Sequence, residues 1–139
     1  MNPKVLIVDD DSECIELVEY NLRQQGCEVV VAQNGIQTLR LAQAELPDAV
    51  VLDLMLPDLD GLSVCEILNS QPSTRDIPVF ILSALDESWA KTRRSRARVA
   101  RYFRKPADFK ALAKSIQTAW NERQALIRSQ VIVPNPAIR

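Results

Sequence analysis

The chain has 139 residues, of which 47% are hydrophobic and 25% charged, a composition typical of a single globular domain. Its apolar runs are far shorter than the ~20 residues that span a bilayer, and it contains no histidine. A membrane span within this chain and histidine-dependent triads or zinc sites are therefore excluded. Its three scattered cysteines, Cys14, Cys27 and Cys65, indicate reduced thiols in a cytoplasmic protein, and the strand pattern that begins at Lys4 predicts no signal peptide.

The net charge of −1 hides an uneven distribution of charge along the chain. Residues 1–87 contain 16 acids and 4 bases, whereas residues 88–139 contain 2 acids and 13 bases. Such polarity predicts an acidic site on one side of the molecule and a basic surface on another.

Apolar runs alternate with stretches of helical period along the chain. Short runs bounded by polar, Gly or Pro residues predict five strands, at 4–8, 28–32, 49–53, 77–82 and 99–103. The first and third indicate buried strands, and the fifth is weak. Between the runs, apolar residues recur at helical spacing after the capping residues Asp11 and Asn34, over 62–68, over about 87–97 and after Asp108.

Strands that alternate with helices indicate an α/β fold built around a parallel sheet. Right-handed crossovers and short loops favour a flavodoxin-like (βα)5 three-layer sandwich, whose five strands have the order 2-1-3-4-5. We predict one domain over residues 1–128 and a C-terminal tail or linker stub over 129–139.

Acidic residues follow two of the predicted strands. Asp9 and Asp10 follow the first strand and Asp53 follows the third, so in the predicted order their carboxylates should converge at one edge of the sheet. Neighbouring carboxylates repel and favour a bound cation, and oxygen ligands suit Mg²⁺. Ser83 and Lys105 end the fourth and fifth strands and add groups that could bind a phosphoryl group, with Asp53 as the candidate nucleophile. Each residue alone has an ordinary explanation as a cap or a solvated side chain, but together they favour a site.

Four motifs resemble, in order and spacing, those of the response-regulator receiver domains of two-component signalling. They are Val-Asp-Asp-Asp at 8–11, Asp-Leu-Met-Leu-Pro-Asp-Leu-Asp-Gly at 53–61, Ser-Ala at 83–84 and Tyr-Phe-Arg-Lys-Pro at 102–106. The resemblance covers roughly residues 4–125. It implies that Asp53 accepts a phosphoryl group from a phosphohistidine of a histidine kinase or a histidine phosphotransfer protein. It also implies Mg²⁺ or Mn²⁺ held by Asp9, Asp10, Asp53 and the backbone carbonyl of Met55.

The resemblance implies further roles around this site. Ser83 and Lys105 would bind the phosphoryl group, and Ser83 and Tyr102 would switch the face of helix 4, strand 5 and helix 5 for a downstream partner. Tyr102 is equally well explained as a half-buried residue of an edge strand. Two residues, Pro57 and Gly61, would shape the loop after Asp53, and Pro106 would follow a cis peptide bond. Such a protein is expected to catalyse at most its own phosphorylation and dephosphorylation, and so not to be an enzyme.

A basic run from Lys91 to Lys105 departs from the usual pattern of the family, because it contains eight bases and no acid. All of these bases except Lys105 should lie on helix 4 and strand 5. Charge runs are usually solvated, but a docking face could be formed by Lys91, Arg94, Arg98 and Arg101. Such a face would suit an acidic partner or a nucleic-acid backbone. We do not expect this face to bind nucleic acid directly, and we expect no membrane partner.

Two other functions fit parts of the pattern. An aspartyl phosphatase would need a second acid two residues after the nucleophile, and Met55 stands there instead. A pseudo-receiver or constitutive interaction module with a basic docking face would need no phosphorylation, but every residue for phosphorylation is present. We expect either a single-domain regulator or one domain of a longer protein.

Overall fold

The computed structural model describes residues 2–131, in which five strands alternate with five helices. The strands form one parallel sheet of order β2-β1-β3-β4-β5, which confirms the predicted fold. Among the described residues, no helix combines the length and the hydropathy needed to cross a membrane. The elements are β1 (Lys4–Val8), α1 (Ser12–Gln24), β2 (Glu28–Ala32), α2 (Gly35–Glu45), β3 (Ala49–Leu52), α3 (Gly61–Ser70), β4 (Val79–Ser83), α4 (Glu87–Thr92), β5 (Arg101–Arg104) and α5 (Phe109–Val131).

Two apolar cores flank the sheet, because successive residues of a strand point to opposite faces. One core lies between the sheet and helices α1 and α5, and it includes Ile7, Val51 and Phe80. The other lies between the sheet and helices α2 and α3, and it includes Leu52 and Ile81. The central strands are therefore apolar on both faces, as their unbroken apolar runs predicted.

Polar and glycine residues mark the helix ends; the caps at Asp11, Asn34 and Asp108 were predicted from the sequence, and the cap at Asp60 was not. The side chains of Asp11, Asn34 and Asp60 accept hydrogen bonds from the first backbone N–H groups of α1, α2 and α3. Asp108 does the same for α5. After α1, Gly26 has a φ of +84°, a left-handed conformation that costs glycine least.

Helix α4 is shorter than predicted. The helix expected over about 87–97 ends at Thr92, and residues 93–100, called the connecting segment here, have no regular structure before β5 begins at Arg101. The prediction that the basic run lies on helix 4 and strand 5 is therefore wrong for four arginines. These are Arg93, Arg94, Arg96 and Arg98.

Contacts with α3 explain why the connecting segment leaves the helix. Glu66 Oε1 accepts hydrogen bonds from Ser95 Oγ at 2.6 Å and from the backbone N–H of Arg96 at 2.9 Å. Asn69 Oδ1 accepts one from the backbone N–H of Arg98 at 2.6 Å. Like charges three or four residues apart would also destabilise a helix over this arginine-rich stretch.

Other elements differ from the prediction only at their ends. Helix α3 occupies 61–70 instead of 62–68, and β4 occupies 79–83 instead of 77–82. Helix α5 continues through Val131, so the first three residues of the predicted tail are helical. Residues 132–139 lie outside the described part of the chain, and the division at residue 128 remains a prediction.

Gly61 begins α3 at a point where no side chain fits. A Cβ at this position would lie 2.5 Å from the Leu54 Cα and 2.7 Å from the Asp53 carbonyl oxygen. Both are backbone atoms, so a larger residue would displace the loop that follows Asp53.

Replacing Gly61 with Ala is expected to lower the free energy of unfolding by about 1–3 kcal/mol, because overpacking forces the backbone apart. Urea denaturation followed by circular dichroism measures this change. The matched control is Ser63→Ala, at an exposed position of the same helix, which should change stability by less than about 0.5 kcal/mol. Equal losses in the two variants would contradict the steric explanation.

The loop between β3 and α3 is also tied to the start of α2. The Asp58 carboxylate accepts hydrogen bonds from the backbone N–H of Gly35 at 2.7 Å and of Ile36 at 3.0 Å. The bonds from Ile36 and Gly35 lower the pKa of Asp58 below its ordinary value. A carboxyl with a lowered folded-state pKa contributes stability above its unfolded pKa of ~3.9, and this stability is lost as the pH falls through the folded pKa.

Replacing Asp58 with Ala is expected to lower the urea midpoint at neutral pH, since two N–H groups lose their charged acceptor. The difference from the wild type should shrink below about pH 4, where the wild-type carboxyl is also protonated. Asp58→Asn keeps one acceptor oxygen without the charge and should lie between the two at neutral pH. A difference that does not vary with pH would show that the charge is not responsible.

Candidate functional site

Asp9 and Asp53 lie side by side because β1 and β3 are neighbours in register. Val8 is paired with Leu52. The residues that follow them, Asp9 and Asp53, therefore lie at the same level of the carboxyl edge of the sheet. The Asp53 N–H donates to the Val8 carbonyl at 3.0 Å. Only 2% of Asp9 and 6% of Asp53 is exposed, whereas Asp10 is exposed. The sheet thus brings together the acids that the sequence singled out.

The ammonium group of Lys105 lies between these two carboxylates. Its Nζ donates to Asp9 Oδ2 at 2.8 Å and to Asp53 Oδ2 at 3.1 Å. Its backbone N–H donates to the Ser83 carbonyl at 2.8 Å, and a cis peptide bond joins it to Pro106, as predicted. Burial alone would lower the pKa of Lys105, but the hydrogen bond to Asp9 and the charges of both carboxylates outweigh it and raise that pKa. The ammonium therefore stays charged.

Backbone N–H groups orient the other oxygen of each buried carboxylate. Asp9 Oδ1 accepts a hydrogen bond from the Asp11 N–H at 3.0 Å. Asp53 Oδ1 accepts one from the Met55 N–H at 3.1 Å. Because both Oδ2 atoms bind Lys105, each carboxylate is held at both oxygens, which positions it before a ligand arrives.

The donor set of the three acids fits a divalent cation. One carboxylate oxygen from each of Asp9, Asp10 and Asp53 can be chosen so that all three lie within 4.8 Å of one another. Oxygens on opposite sides of an octahedral Mg²⁺ lie about 4.2 Å apart, so a small adjustment of side chains would place these three around one ion. An all-oxygen set of carboxylates suits Mg²⁺ or Mn²⁺.

Hydrogen bonds link the end of β4 to the edge strand β5. Ser83 is fully buried, and its Oγ accepts a hydrogen bond from the Leu85 N–H at 3.3 Å. The Leu85 carbonyl accepts one from the Tyr102 hydroxyl at 2.6 Å. Burial raises the pKa of the half-buried Tyr102, so its hydroxyl stays protonated as a donor.

Residues 5–117 match the family model of the response regulator receiver domain. The chain belongs to this family, which acts in two-component signalling. It is 43% identical over 91 residues to the alkaline phosphatase synthesis transcriptional regulatory protein PhoP of Bacillus subtilis, a match that covers 66% of this chain and 37% of PhoP. It is 36% identical over 135 residues to the DNA-binding dual master transcriptional regulator RpaA of Synechocystis, covering 97% of this chain and 53% of RpaA. The chain therefore spans about half, or less, of the length of these curated relatives.

Solved receiver domains share the fold of this chain. The receiver domain of a Francisella response regulator superimposes with a TM-score of 0.79 at 32% identity, covering 88% of this chain and 99% of that one. The receiver domain of the sensor histidine kinase PA1611 of Pseudomonas aeruginosa, which has a magnesium ion coordinated in its active-site cleft, superimposes with a TM-score of 0.76 at 28% identity. That match covers 87% of this chain and 99% of that one.

In this receiver domain, the loop after Asp53 contains the predicted residues Met55, Pro57 and Gly61. Met55 forms an isolated backbone bridge with Asp60, and 57% of Met55 is exposed. Pro57 is also exposed. The bridge and the close packing of the buried Gly61 against the backbone of Asp53 and Leu54 constrain this loop.

The structure does not gather the predicted basic residues into one face. Lys91 and Arg101 line a shared groove between α4 and β5. Arg94 lines a small depression beside α3. Arg98 lies at the opposite, amino-terminal end of the sheet, where its guanidinium donates to the backbone carbonyls of Asn69 at 3.2 Å and Arg75 at 2.9 Å.

Several residues that shape the receiver domain were not found from the sequence. Leu85 contributes its backbone N–H and carbonyl to the hydrogen bonds that link Ser83 and Tyr102, and no side-chain type signals that role. Asp58 and Glu66 are ordinary surface acids in the sequence, and their acceptor roles depend on partners 22 to 30 residues away.

Replacing Lys105 with Met is expected to lower the free energy of unfolding by about 1–3 kcal/mol in EDTA, because two nearly buried carboxylates lose their shared cation. Urea denaturation measures this loss. In the background of Asp9→Asn, the same replacement should cost about 1 kcal/mol less, since only one charged carboxylate then remains beside it. Strictly additive effects of the two substitutions would contradict the bridging role of Lys105.

Proposed function

We propose that this receiver domain is a phosphorylation-dependent switch in which Asp53 accepts the phosphoryl group. The contact between the nearly buried Asp53 carboxylate and the Lys105 ammonium, beside two further acids, carries this proposal. A phosphoryl group on Asp53 would lie next to the positive charge of Lys105 and the metal-binding carboxylate oxygens of Asp9 and Asp10. Those are the charges on which phosphoryl transfer depends.

Mg²⁺ or Mn²⁺ would be held by Asp9, Asp10 and Asp53, with the backbone carbonyl of Met55 as a further ligand. The proximity of the three carboxylates and the magnesium of the PA1611 receiver domain support this assignment. When bound, the cation would neutralise negative charge on the phosphoryl oxygens during transfer.

Transfer to Asp53 forms one bond and breaks another. A carboxylate oxygen of Asp53 attacks the phosphorus of a phosphohistidine, and the P–N bond breaks with its electron pair returning to the imidazole of the donor. Lys105 and Ser83 hold the phosphoryl oxygens. Water later attacks the phosphorus, and the P–O bond to Asp53 breaks to return the carboxylate and inorganic phosphate. Because Met55 supplies no acid at the position where a phosphatase needs one, the domain would act only on its own phosphoryl group.

The bonds through Leu85 would convey the modification to the edge strand. A phosphoryl group on Asp53 would attract the Ser83 hydroxyl, which in this structure accepts a bond from Leu85. Displacement of Leu85 would disturb its bond with Tyr102 on β5. The face formed by α4, β5 and α5 would thereby change for a downstream partner.

The phosphoryl donor would be a histidine kinase or a histidine phosphotransfer protein. Membership of the receiver family and similarity to the receiver domain of a sensor histidine kinase support this donor class. A cytoplasmic location is supported by the cysteines, since Cys14, Cys27 and Cys65 are all buried and free.

Incubation with acetyl phosphate and Mg²⁺ is expected to add one phosphoryl group to the intact chain, as measured by mass spectrometry. The product should be lost in alkali, because an acyl phosphate hydrolyses there. Asp53→Asn should abolish the adduct, and EDTA should reduce its formation at least about tenfold.

The matched control for this experiment is Asp76→Asn, which removes an exposed carboxylate from the loop between α3 and β4, outside the site. It should be phosphorylated as the wild type is. An alkali-stable adduct, or an adduct that survives Asp53→Asn, would overturn the proposed function.

A further inference from the structure

Arg93, the first residue of the connecting segment, is bound to the residue that caps α3. Its Nη2 donates to Asp60 Oδ2 at 2.5 Å, and its Cζ lies 4.7 Å from the centroid of the Trp89 ring. Within residues 2–131, Asp60 is the only residue with a carboxylate oxygen within 4.0 Å of the Arg93 guanidinium. The ring and the carboxylate together restrict the guanidinium to one position.

The Asp60 side chain is also held by the first turn of α3. Its Oδ1 accepts a hydrogen bond from the Leu62 N–H at 3.3 Å, and its Oδ2 accepts one from Ser63 Oγ at 3.2 Å. The side chains of Arg93 and Asp60 are 45% and 30% exposed, and exposed pairs usually contribute little because both partners lose conformational entropy. Here other contacts already order both partners, so their pairing costs less entropy.

The backbone next to Asp60 is bonded to the peptide group that orients the Asp53 carboxylate. The Gly61 N–H donates to the Leu54 carbonyl at 3.0 Å. That carbonyl and the Met55 N–H belong to one planar peptide group, and the Met55 N–H donates to Asp53 Oδ1 at 3.1 Å. Met55 and Asp60 also face each other in the isolated bridge. A shift of Asp60 would therefore tilt the peptide group that holds Asp53.

We propose that Arg93 is a positioning residue for the candidate site. By holding Asp60, it keeps the peptide group between Leu54 and Met55 in the orientation that binds the Asp53 carboxylate through its N–H. The same loop supplies the Met55 carbonyl to a bound cation, so Arg93 supports cation binding without touching the cation. This part of the proposal rests on the proposed function, whereas the link between Arg93 and the Met55 N–H does not.

Two neighbouring arginines provide matched controls for Arg93. Arg94 and Arg96 lie in the same connecting segment and are exposed. Within the described residues, neither has a carboxylate oxygen within 4.0 Å. They share the charge of Arg93 and its place in the chain but not its contact with Asp60.

Positioning by Arg93 and the long-range field of its charge have opposite effects on Mg²⁺ binding. A positive charge near the three acids repels Mg²⁺, so loss of that charge alone would tighten binding. Loss of the contact with Asp60 would loosen the loop and weaken binding. The sign of the change therefore identifies the role of Arg93.

The first experiment measures the Kd for Mg²⁺ of the full chain by isothermal titration calorimetry. Arg93→Gln should raise the Kd about threefold, the size expected for one ordered surface ion pair. Arg94→Gln should leave the Kd unchanged or slightly lower, and Arg93→Lys, which keeps a charged donor, should restore part of the affinity. A Kd of Arg93→Gln equal to or below that of Arg94→Gln would overturn the proposal.

Amide hydrogen exchange, followed by NMR in EDTA, tests the link to the loop without metal or phosphoryl donor. The Met55 and Gly61 amides should exchange about threefold faster in Arg93→Gln than in the wild type, because the loop opens more often. The Asp53 amide is bonded to the Val8 carbonyl in the sheet and should keep its rate. Unchanged exchange at Met55 and Gly61 would overturn the proposal, as would an equal rise at Asp53, which would indicate general destabilisation.

A double-mutant cycle tests whether Arg93 acts through Asp60. Asp60→Asn keeps an oxygen that can cap α3 but removes the negative charge that binds the guanidinium. In this background, Arg93→Gln should change the Kd for Mg²⁺ by less than about 1.5-fold. An undiminished threefold effect would overturn the route through Asp60.

Phosphorylation by acetyl phosphate then separates this proposal from the proposed function. At a Mg²⁺ concentration below the wild-type Kd, Arg93→Gln should form the acyl phosphate about threefold more slowly than the wild type, and Arg94→Gln should not. If the wild type forms no acyl phosphate, the proposed function fails, while the exchange rates in EDTA still decide the link between Arg93 and Met55. If it forms at equal rates in all three proteins, the role of Arg93 in the reaction is overturned.

Discussion

The ammonium of Lys105, held between Asp9 and Asp53, is the interaction on which the site depends. Two nearly buried carboxylates would repel each other without a cation, and the lysine supplies one at 2.8 and 3.1 Å. Lys105 follows β5, two strand spacings or roughly 10 Å from β3. Only a long side chain can cross the end of β4 to reach the acids, and β4 ends there in the small, fully buried Ser83. The site therefore requires the observed strand order, a small residue such as Ser83 at the end of β4 and a long, positively charged side chain after β5.

The loop between β3 and α3 is constrained on several sides because it follows the candidate phosphoacceptor directly. Gly61 lets the start of α3 approach the backbone of Asp53 and Leu54. Asp58 ties the loop to α2, and Met55 pairs with Asp60 at its other side. The loop thus holds the Met55 N–H against Asp53 Oδ1. Interactions that stabilise this loop therefore also hold the Asp53 carboxylate in position.

The uneven distribution of charge along the chain corresponds to separate acidic and basic regions of the folded domain. Three acids of the first part of the chain, Asp9, Asp10 and Asp53, converge at the carboxyl edge of the sheet, where Lys105 contacts Asp9 and Asp53. Five bases of the second part of the chain lie on the short helix α4 and the connecting segment, namely Lys91, Arg93, Arg94, Arg96 and Arg98. Hydrogen bonds to Glu66 and Asn69 hold this segment where the helix was predicted to continue. Residues of this segment and Tyr102 of β5 line the groove between α4 and β5.

The sequence by itself determined the α/β fold, the strand order and the convergence of the acids, since short apolar runs, helical periodicity and capping residues are local signals that agree with one another. It also placed Ser83 and Lys105 at the correct strand ends, and the resemblance to receiver domains implied the cis peptide bond before Pro106. It did not determine where α4 ends, because arginines and alanines are good helix formers and the groups that hold the connecting segment lie 29 or 30 residues earlier in the chain. Nor could it reveal the bond between Tyr102 and the Leu85 carbonyl, since every residue has a carbonyl and only the tertiary structure decides which one a side chain meets.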